Sequence, residues 1–266
     1  MIATGQPEGR NAAQATPIVS TRSLTRQFGH VLAVSDPNIE VASGEVFGLL
    51  GSNGAGKSTL IKMLTTLLPP SSGSATIAGF DLAKQASLIR RQIGYVPQMS
   101  SVDGALTARE NMHVFAKLYS LSNEELKMRI PEALSRSGLT QVADRLVRTY
   151  SGGMGRHLEI AISTLHQPRL LFLDEPTSGL DPVARDSVWD RIKELRTSLG
   201  MTIFLTTHYM EEAEDLCSRI AIMHSGKIAA IGTPSELKRG IGIPDATLDQ
   251  VFTFYSKPDG EQKANV

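Results

Sequence analysis

The strongest constraint on this chain is the stretch Gly51-Ser52-Asn53-Gly54-Ala55-Gly56-Lys57-Ser58-Thr59, set between two apolar runs. Upstream, Val46-Phe47-Gly48-Leu49-Leu50 reads as a buried strand; downstream, Leu60-Ile61-Lys62-Met63-Leu64 continues as a helix. The stretch is therefore a strand-to-helix turn carrying G-x-x-x-x-G-K-[ST], the pattern of a phosphate-binding loop. Its glycines let backbone N–H groups converge on a diphosphate with no Cβ in the way. The positive end of the following helix adds to that field. Lys57 is then placed to reach β- and γ-phosphates, and the Ser58 hydroxyl to ligate Mg²⁺.

At 266 residues the chain can form one large domain or two small ones with a substantial core. Lysine plus arginine and aspartate plus glutamate number 27 each, so the basic balance of a dedicated nucleic-acid binder is missing. One cysteine, Cys217, excludes an internal disulfide, fits a reducing compartment and reads as a small apolar filler on a helix. No apolar stretch approaches the roughly 18 residues of a membrane span. Residues 1–16 lack the basic start and apolar centre of a secretory signal and read as a disordered tail.

Taken in order, residues 17–28 alternate in character and suggest an edge strand, ended by Phe28 beside Gly29. Residues 31–41 suggest a second strand, and Ser43-Gly44-Glu45 turns into the strand before the phosphate loop. After the loop's helix, residues 67–73 are a cluster of structure breakers; short strands follow at 74–78 and 93–96, the latter ending at Pro97-Gln98. From 99 to 150 the period is helical. Thr107-Ala108-Arg109-Glu110 is a capping box for a helix through Tyr119, with Met112, Phe115, Leu118 and Tyr119 on one face. Ser122-Asn123-Glu124-Glu125 opens another helix in the same way. This block reads as an all-α insertion in an α/β domain. A helix then runs from Ser151-Gly152-Gly153 to about His166.

Leu170-Leu171-Phe172-Leu173 is a continuous apolar strand, as in a parallel sheet covered on both faces. Residues 182–199 form a helix with proline in its first turn and Gly200 past its end. A buried strand at 202–205, an acidic helix at 209–217 and a hairpin over Ser225-Gly226 complete the order, with fraying expected past Lys257. The domain is expected over 17–254, with the insertion at about 99–150 and tails at 1–16 and 255–266.

Chemistry gathers at the strand ends. Asp174, where the apolar strand emerges, can hold Mg²⁺ through water across from Ser58. Glu175 beside it can polarise an attacking water as general base. Gln98 can reach the metal or that water with its amide oxygen and report γ-phosphate occupancy to the helical insertion. Ser151-Gly152-Gly153 opens a second helix with a serine cap and two bare glycines, another anion-binding start. His208, at the end of the strand Thr206-Thr207 closes, can contact the γ-phosphate and orient Glu175.

Together these residues resemble the nucleotide-binding subunit of an ATP-binding cassette (ABC) transporter, over about residues 18–254. The chain carries both Walker motifs (residues 51–59 and 170–175), the Q-loop Gln98 and the family signature at Ser151-Gly152-Gly153-Met154. The D-loop Ser178-Gly179-Leu180-Asp181 and the switch His208 follow. The resemblance implies a P-loop NTPase core with a mostly parallel sheet, an N-terminal antiparallel β part and an inserted all-α subdomain. It implies ATP and Mg²⁺ as ligands, bound by residues 51–59, with Phe28 stacked on adenine. It further implies that two cassettes, identical or homologous, close head-to-tail so that each nucleotide lies against the partner's Ser151-Gly152-Gly153.

The signature with Leu158-Glu159-Ile160-Ala161, and the tail Ala246-Thr247-Leu248-Asp249-Gln250-Val251-Phe252, is similar to multidrug and antibiotic-resistance exporter ATPases. That implies export of a drug, lipid-like or polysaccharide cargo through a separate integral membrane permease, with this chain docked at the cytoplasmic face. Relatives usually have basic residues at the positions of Gly155 and His157, so closure is expected to be weaker or pH-sensitive here. Two other readings compete. A soluble ABC ATPase acting on ribosomes or DNA generally has two cassettes, a long coiled-coil insertion or zinc-binding cysteines. A nucleotide kinase would leave Ser151-Gly152-Gly153 and His208 without a role.

Overall fold

The computed structural model describes residues 16–256. The expected tails fall outside the described residues except at Thr16, Tyr255 and Ser256, and the fraying expected past Lys257 lies wholly outside them.

The chain opens with β1 (Val19–Phe28), β2 (Val31–Val34), β3 (Glu40–Val41) and β4 (Val46–Leu50), then α1 (Lys57–Leu64). A hairpin of β5 (Ser72–Ile77) and β6 (Phe80–Asp81) precedes α2 (Ala86–Gln92) and β7 (Ile93–Val96). The insertion holds α3 (Ala108–Leu118) and α4 (Asn123–Arg136), followed by two short 3₁₀ turns. After it come α5 (Gly152–Ser163), β8 (Leu170–Asp174), α6 (Pro182–Leu199), β9 (Thr202–Thr207) and α7 (Met210–Leu216). The hairpin of β10 (Arg219–His224) and β11 (Lys227–Gly232) leads to α8 (Pro234–Gly240) and α9 (Leu248–Tyr255).

Two sheets result. The first is antiparallel, in the order β2-β1-β5-β6 with β3 also paired to β1. The expected edge strand is thus a central one: β1 takes partners from both its own hairpin and the later β5. Residues 31–41 are likewise two strands rather than one, because Asp36 takes a positive φ of 56° just before Pro37. The second sheet, in the order β11-β10-β4-β9-β8-β7, is parallel except for the terminal β10–β11 pair. The expected α/β architecture is the observed one.

Every residue of β4, β8 and β9 is buried, because helices cover both faces of this sheet. Alternate side chains serve opposite cores. Phe47, Phe204 and Phe172 stand in register across β4, β9 and β8, ring centroids 5.3 and 5.4 Å apart, and pack towards α1 and the antiparallel sheet. Leu50, Leu171, Leu173, Ile203 and Leu205 face the other way, onto α6, α7 and α9.

The insertion has a core of its own, built from Met112, Ala116, Leu126, Ile130 and Leu134 against Leu158, Ala161 and Ile162 of α5. Both expected capping boxes form, at Thr107–Glu110 and Ser122–Glu125. Leu118, expected on the packed face of α3, is instead exposed; Met112 and Ala116 line that face, and Tyr119 caps the helix and stacks on His166. The signature helix ends at Ser163, short of His166, and α2, α8, α9 and β6 are elements the sequence reading does not include.

Candidate active site

In the parallel sheet β4 ends at Leu50, β9 at Thr207, β8 at Asp174 and β7 at Val96, with Leu50 paired to Thr207 and Asp174 to Thr206. Residues 51–56, His208, Glu175 and Gln98 each follow one of these ends, so the topology alone delivers them to one edge, where open α/β sheets bind ligands. The result is a cleft of about 500 Å³ lined by Asn53, Gly54, Gly56, Lys57, Ser58, Thr59, Gln98 and Glu175. Val31, Leu32, Ala33, Ser225 and Gly226 complete its wall. A second cleft, between the insertion and α6 and lined by Arg129, Arg136 and Arg191, contains none of the expected site residues.

The loop has the geometry its glycines imply. Gly56, the N-cap of α1, has φ 107°, and a Cβ there would lie 2.4 Å from the Ala33 carbonyl oxygen. No side chain caps α1, and its first turn carries no acidic residue, so its N-terminal N–H groups and dipole are directed at the cleft. Lys57 is 4 % exposed; its ammonium donates to the Gly51 and Ser52 carbonyls at 2.8 and 3.1 Å and pairs with Glu175 Oε1 at 3.2 Å.

The two strand-end carboxylates are held differently. Asp174 Oδ1 accepts hydrogen bonds from Thr206 Oγ1 at 2.6 Å and from Ser58 Oγ at 3.2 Å. Glu175 sits at φ 49°, an unusual backbone position for a residue with a side chain, and its own N–H is held by the Thr206 carbonyl and hydroxyl at 3.1 and 3.0 Å. Thr206 thus fixes both acids at once. Glu175 Oε2 accepts from the Gln98 amide nitrogen at 3.1 Å and lies 3.2 Å from His208 Nδ1, an approach off the hydrogen-bond line. Lys57, Gln98 and His208 therefore surround one nearly buried carboxylate.

Other expected site residues lie elsewhere. Phe28 is not in the lining of the cleft; it is 45 % exposed, with the Arg26 guanidinium 4.6 Å over its ring. Ser151, the N-cap of α5, accepts from Met154 N at 3.3 Å, and Gly152 and Gly153 pack towards Leu180 and Ala184 at the start of α6. A Cβ on Gly153 would come within 2.9 Å of Ala184 Cβ. One copy of the chain does not bring this helix start into the cleft.

The family model described as ABC transporter matches residues 34–178, from β2 through the phosphate loop, the signature and both strand-end acids. The chain belongs to the ABC transporter family. It is an ATP-binding, ATP-hydrolysing subunit of such a transporter. Over 229 residues it is 43 % identical to the daunorubicin/doxorubicin resistance ATP-binding protein DrrA of Streptomyces peucetius, covering 86 % of this chain and 69 % of that protein. Over 254 residues it is 42 % identical to the Nod factor export ATP-binding protein I of Rhizobium meliloti, covering 96 % and 74 % respectively. A solved dimeric ATP-binding cassette in a post-hydrolysis state, bound to ADP and Pi, matches with a TM-score of 0.72 at 25 % identity, covering 81 % of this chain and 98 % of that one.

Three features of this ABC ATPase escape a reading from sequence. Thr206 was legible only as part of a buried strand, though a hydroxyl there demands a partner. Val31, Leu32, Ser225 and Gly226 come to the cleft from two hairpins far apart in the chain. Behind the cleft, Glu212 is fully buried and accepts from Thr177 Oγ1 at 2.7 Å and Trp189 Nε1 at 3.1 Å. Burial pushes its carboxyl above the usual range, against the opposing effect of hydrogen bonds from Thr207, Thr177 and Trp189 and the charge of Arg185.

Proposed function

We propose that the cleft holds the triphosphate of ATP and that Glu175 acts as general base on the attacking water. The observation that carries this reading is the enclosure of the Glu175 carboxylate by Lys57, Gln98 and His208 at the C-terminal edge of the sheet. The N–H groups of residues 51–59 would wrap the β-phosphate, and Lys57 would exchange the Gly51 and Ser52 carbonyls for phosphate oxygens. Gln98 would offer its amide oxygen to the cation or the water, and His208 would contact the γ-phosphate. Phe28, with Val31 and Leu32 nearby on the same hairpin, is the proposed base-stacking residue.

The donor set fits Mg²⁺. Ser58 Oγ and Asp174 Oδ1 are hard oxygens 3.2 Å apart, suited to a cation completed by water and phosphate. Among the described residues no group of three histidine, cysteine, aspartate or glutamate side chains is placed to hold a metal. Bound there, Mg²⁺ supplies charge neutralisation at the β- and γ-phosphates.

Because Ser151, Gly152 and Gly153 are remote from their own cleft, they are proposed to close on the nucleotide of a second cassette, identical or homologous. Binding of ATP then joins the two, and hydrolysis removes the shared γ-phosphate and releases them. No helix among the described residues is long and apolar enough to cross a membrane. Membership of the transporter family supports the reading that a separate permease would carry the cargo, with this chain peripheral at the cytoplasmic face. The likeness to a daunorubicin/doxorubicin resistance protein and to a Nod factor export protein supports outward movement, with a drug, lipid-like or polysaccharide molecule as the proposed cargo.

The test is Glu175→Gln. It should bind ATP, hydrolyse it slowly and accumulate as a dimer in saturating ATP–Mg²⁺ by size-exclusion chromatography with light scattering. A monomer with unimpaired turnover would remove the basis of the proposal.

A further inference from the structure

Two buried charges on the signature helix have no part in the site described above. Arg156 and Glu159 are 8 % and 4 % exposed and pair at 2.9 Å, one turn apart on α5. Both also reach out of their own helix. Arg156 Nη1 donates to the Pro97 carbonyl at 2.9 Å and Nη2 to the Gln98 carbonyl at 3.3 Å. Glu159 Oε1 accepts from the Ser101 N–H at 3.0 Å. One turn of α5 therefore holds the backbone on both sides of Met99, which is itself exposed to solvent.

A buried ion pair is a poor source of stability, since an apolar pair of similar volume commonly serves as well or better. What these side chains do that an apolar pair cannot is hold three backbone polar groups of the Gln98 segment. At the far end of that segment the Gln98 side chain bonds Glu175. At the near end of α5 stand Ser151, Gly152 and Gly153.

We propose that Arg156 and Glu159 are positioning residues that lock the Gln98 segment to the signature helix. A shift of Gln98 at the Glu175 site is thereby transmitted to the surface that the subunit presents to its partner's nucleotide. The link makes the two sites of a closed pair report on each other: nucleotide sensed by Gln98 in one cleft sets the placement of Ser151-Gly152-Gly153 over the other. This inference rests on the shared-nucleotide reading under Proposed function.

The experiment uses the Glu175→Gln chain, in which hydrolysis is slow, as the parent. Into it are placed Arg156→Met, Glu159→Leu and the apolar pair Arg156→Leu/Glu159→Leu. Nucleotide affinity is read with a fluorescent ATP analogue, dimerisation in saturating ATP–Mg²⁺ by analytical ultracentrifugation, and thermal stability by calorimetry. The expected result is unchanged monomer affinity with a dimer dissociation constant raised about tenfold or more in every variant. The apolar pair should recover the melting temperature that the single variants lose, yet not recover dimerisation.

Recovery of dimerisation together with melting temperature in the apolar pair would reduce Arg156 and Glu159 to structural packing and overturn the proposal. Equal loss of monomer nucleotide affinity and dimerisation would do the same. A parent that stays monomeric refutes the shared-nucleotide reading itself, and the locking role with it, which separates that failure from the other two.

Discussion

Lys57 and Glu175 stand 3.2 Å apart, 4 % and 6 % exposed, and among the described residues each is the other's only ion-pair partner of fixed charge. The relationship is unequal. Lys57 keeps the Gly51 and Ser52 carbonyls if Glu175 is neutralised, whereas Glu175 without Lys57 is a buried anion facing only Gln98 and His208. Lys57→Ala should therefore destabilise by about 3–5 kcal/mol and abolish ATP binding, while Glu175→Gln should lose less than half as much. Calorimetric melting of the two variants checks this, at roughly 2–4 °C per kcal/mol for a chain of this size. Equal shifts would mean that the pair is symmetric after all.

Thr206 supports both acids through one hydroxyl, donating to Asp174 at 2.6 Å and accepting from the Glu175 N–H at 3.0 Å. Thr206→Val keeps the shape and the strand preference but removes both bonds. The expected loss is about 1–3 kcal/mol of stability and about 10- to 100-fold in ATP turnover, the scale of an outer-shell partner. Thr206→Ser, which retains the hydroxyl, should recover most of the turnover. Steady-state ATPase rates for the two variants decide between a role in holding the acids and simple strand packing.

Two glycines on helices give opposite expectations. Gly56→Ala places a methyl 2.4 Å from the Ala33 carbonyl at φ 107°, so α1 must shift away from the cleft and nucleotide binding should fail. Gly155 has nothing within 4 Å of the position its Cβ would take. Gly155→Ala should accordingly stabilise the chain by up to about 1 kcal/mol. Paired melting and nucleotide-titration measurements test both signs.

Burial lowers the pKa of His157 and of His166, with the charges of Arg191 and Arg129 adding in the same direction. A hydrogen bond to the Ile93 carbonyl partly offsets the effect at His166. Both rings stay neutral in the fold at a pH where the unfolded chain has already begun to protonate them. The unfolded state then binds more protons, so stability falls as pH drops below about 6.5, through the ordinary histidine range. His157 Nε2 lies 2.9 Å from Ser187 Oγ on α6, and Gln is the replacement that can keep that bond without titrating. His157→Gln should flatten the decline of melting temperature on acidification; an unchanged slope would exclude this ring as a contributor.

What the sequence made legible follows from local chemistry. The phosphate loop, the buried strands β4, β8 and β9, and the caps of α3, α4 and α6 announce themselves within a few residues, because each is specified by its own glycines, apolar run or hydroxyl. The central position of β1 does not, since alternation in one strand says nothing about how many partners will flank it. The capping box Thr233–Glu236 did signal α8, a short helix that local reading could have found. The contacts of Arg156 and Glu159 with the Gln98 segment span nearly sixty residues and leave no local trace. Phe28 stands under the Arg26 guanidinium and outside the cleft lining, so its proposed base contact rests on its place in the chain rather than on local chemistry.

Trp189 is the single tryptophan of the chain, and its indole N–H is tied to Glu212 on α7, the helix that follows His208. Any rotation of α7 relative to α6 must stretch or break that tie and change the polarity around the ring. The chain therefore carries a native optical gauge for movement near the switch histidine, readable in unlabelled wild-type material as ATP is added and consumed.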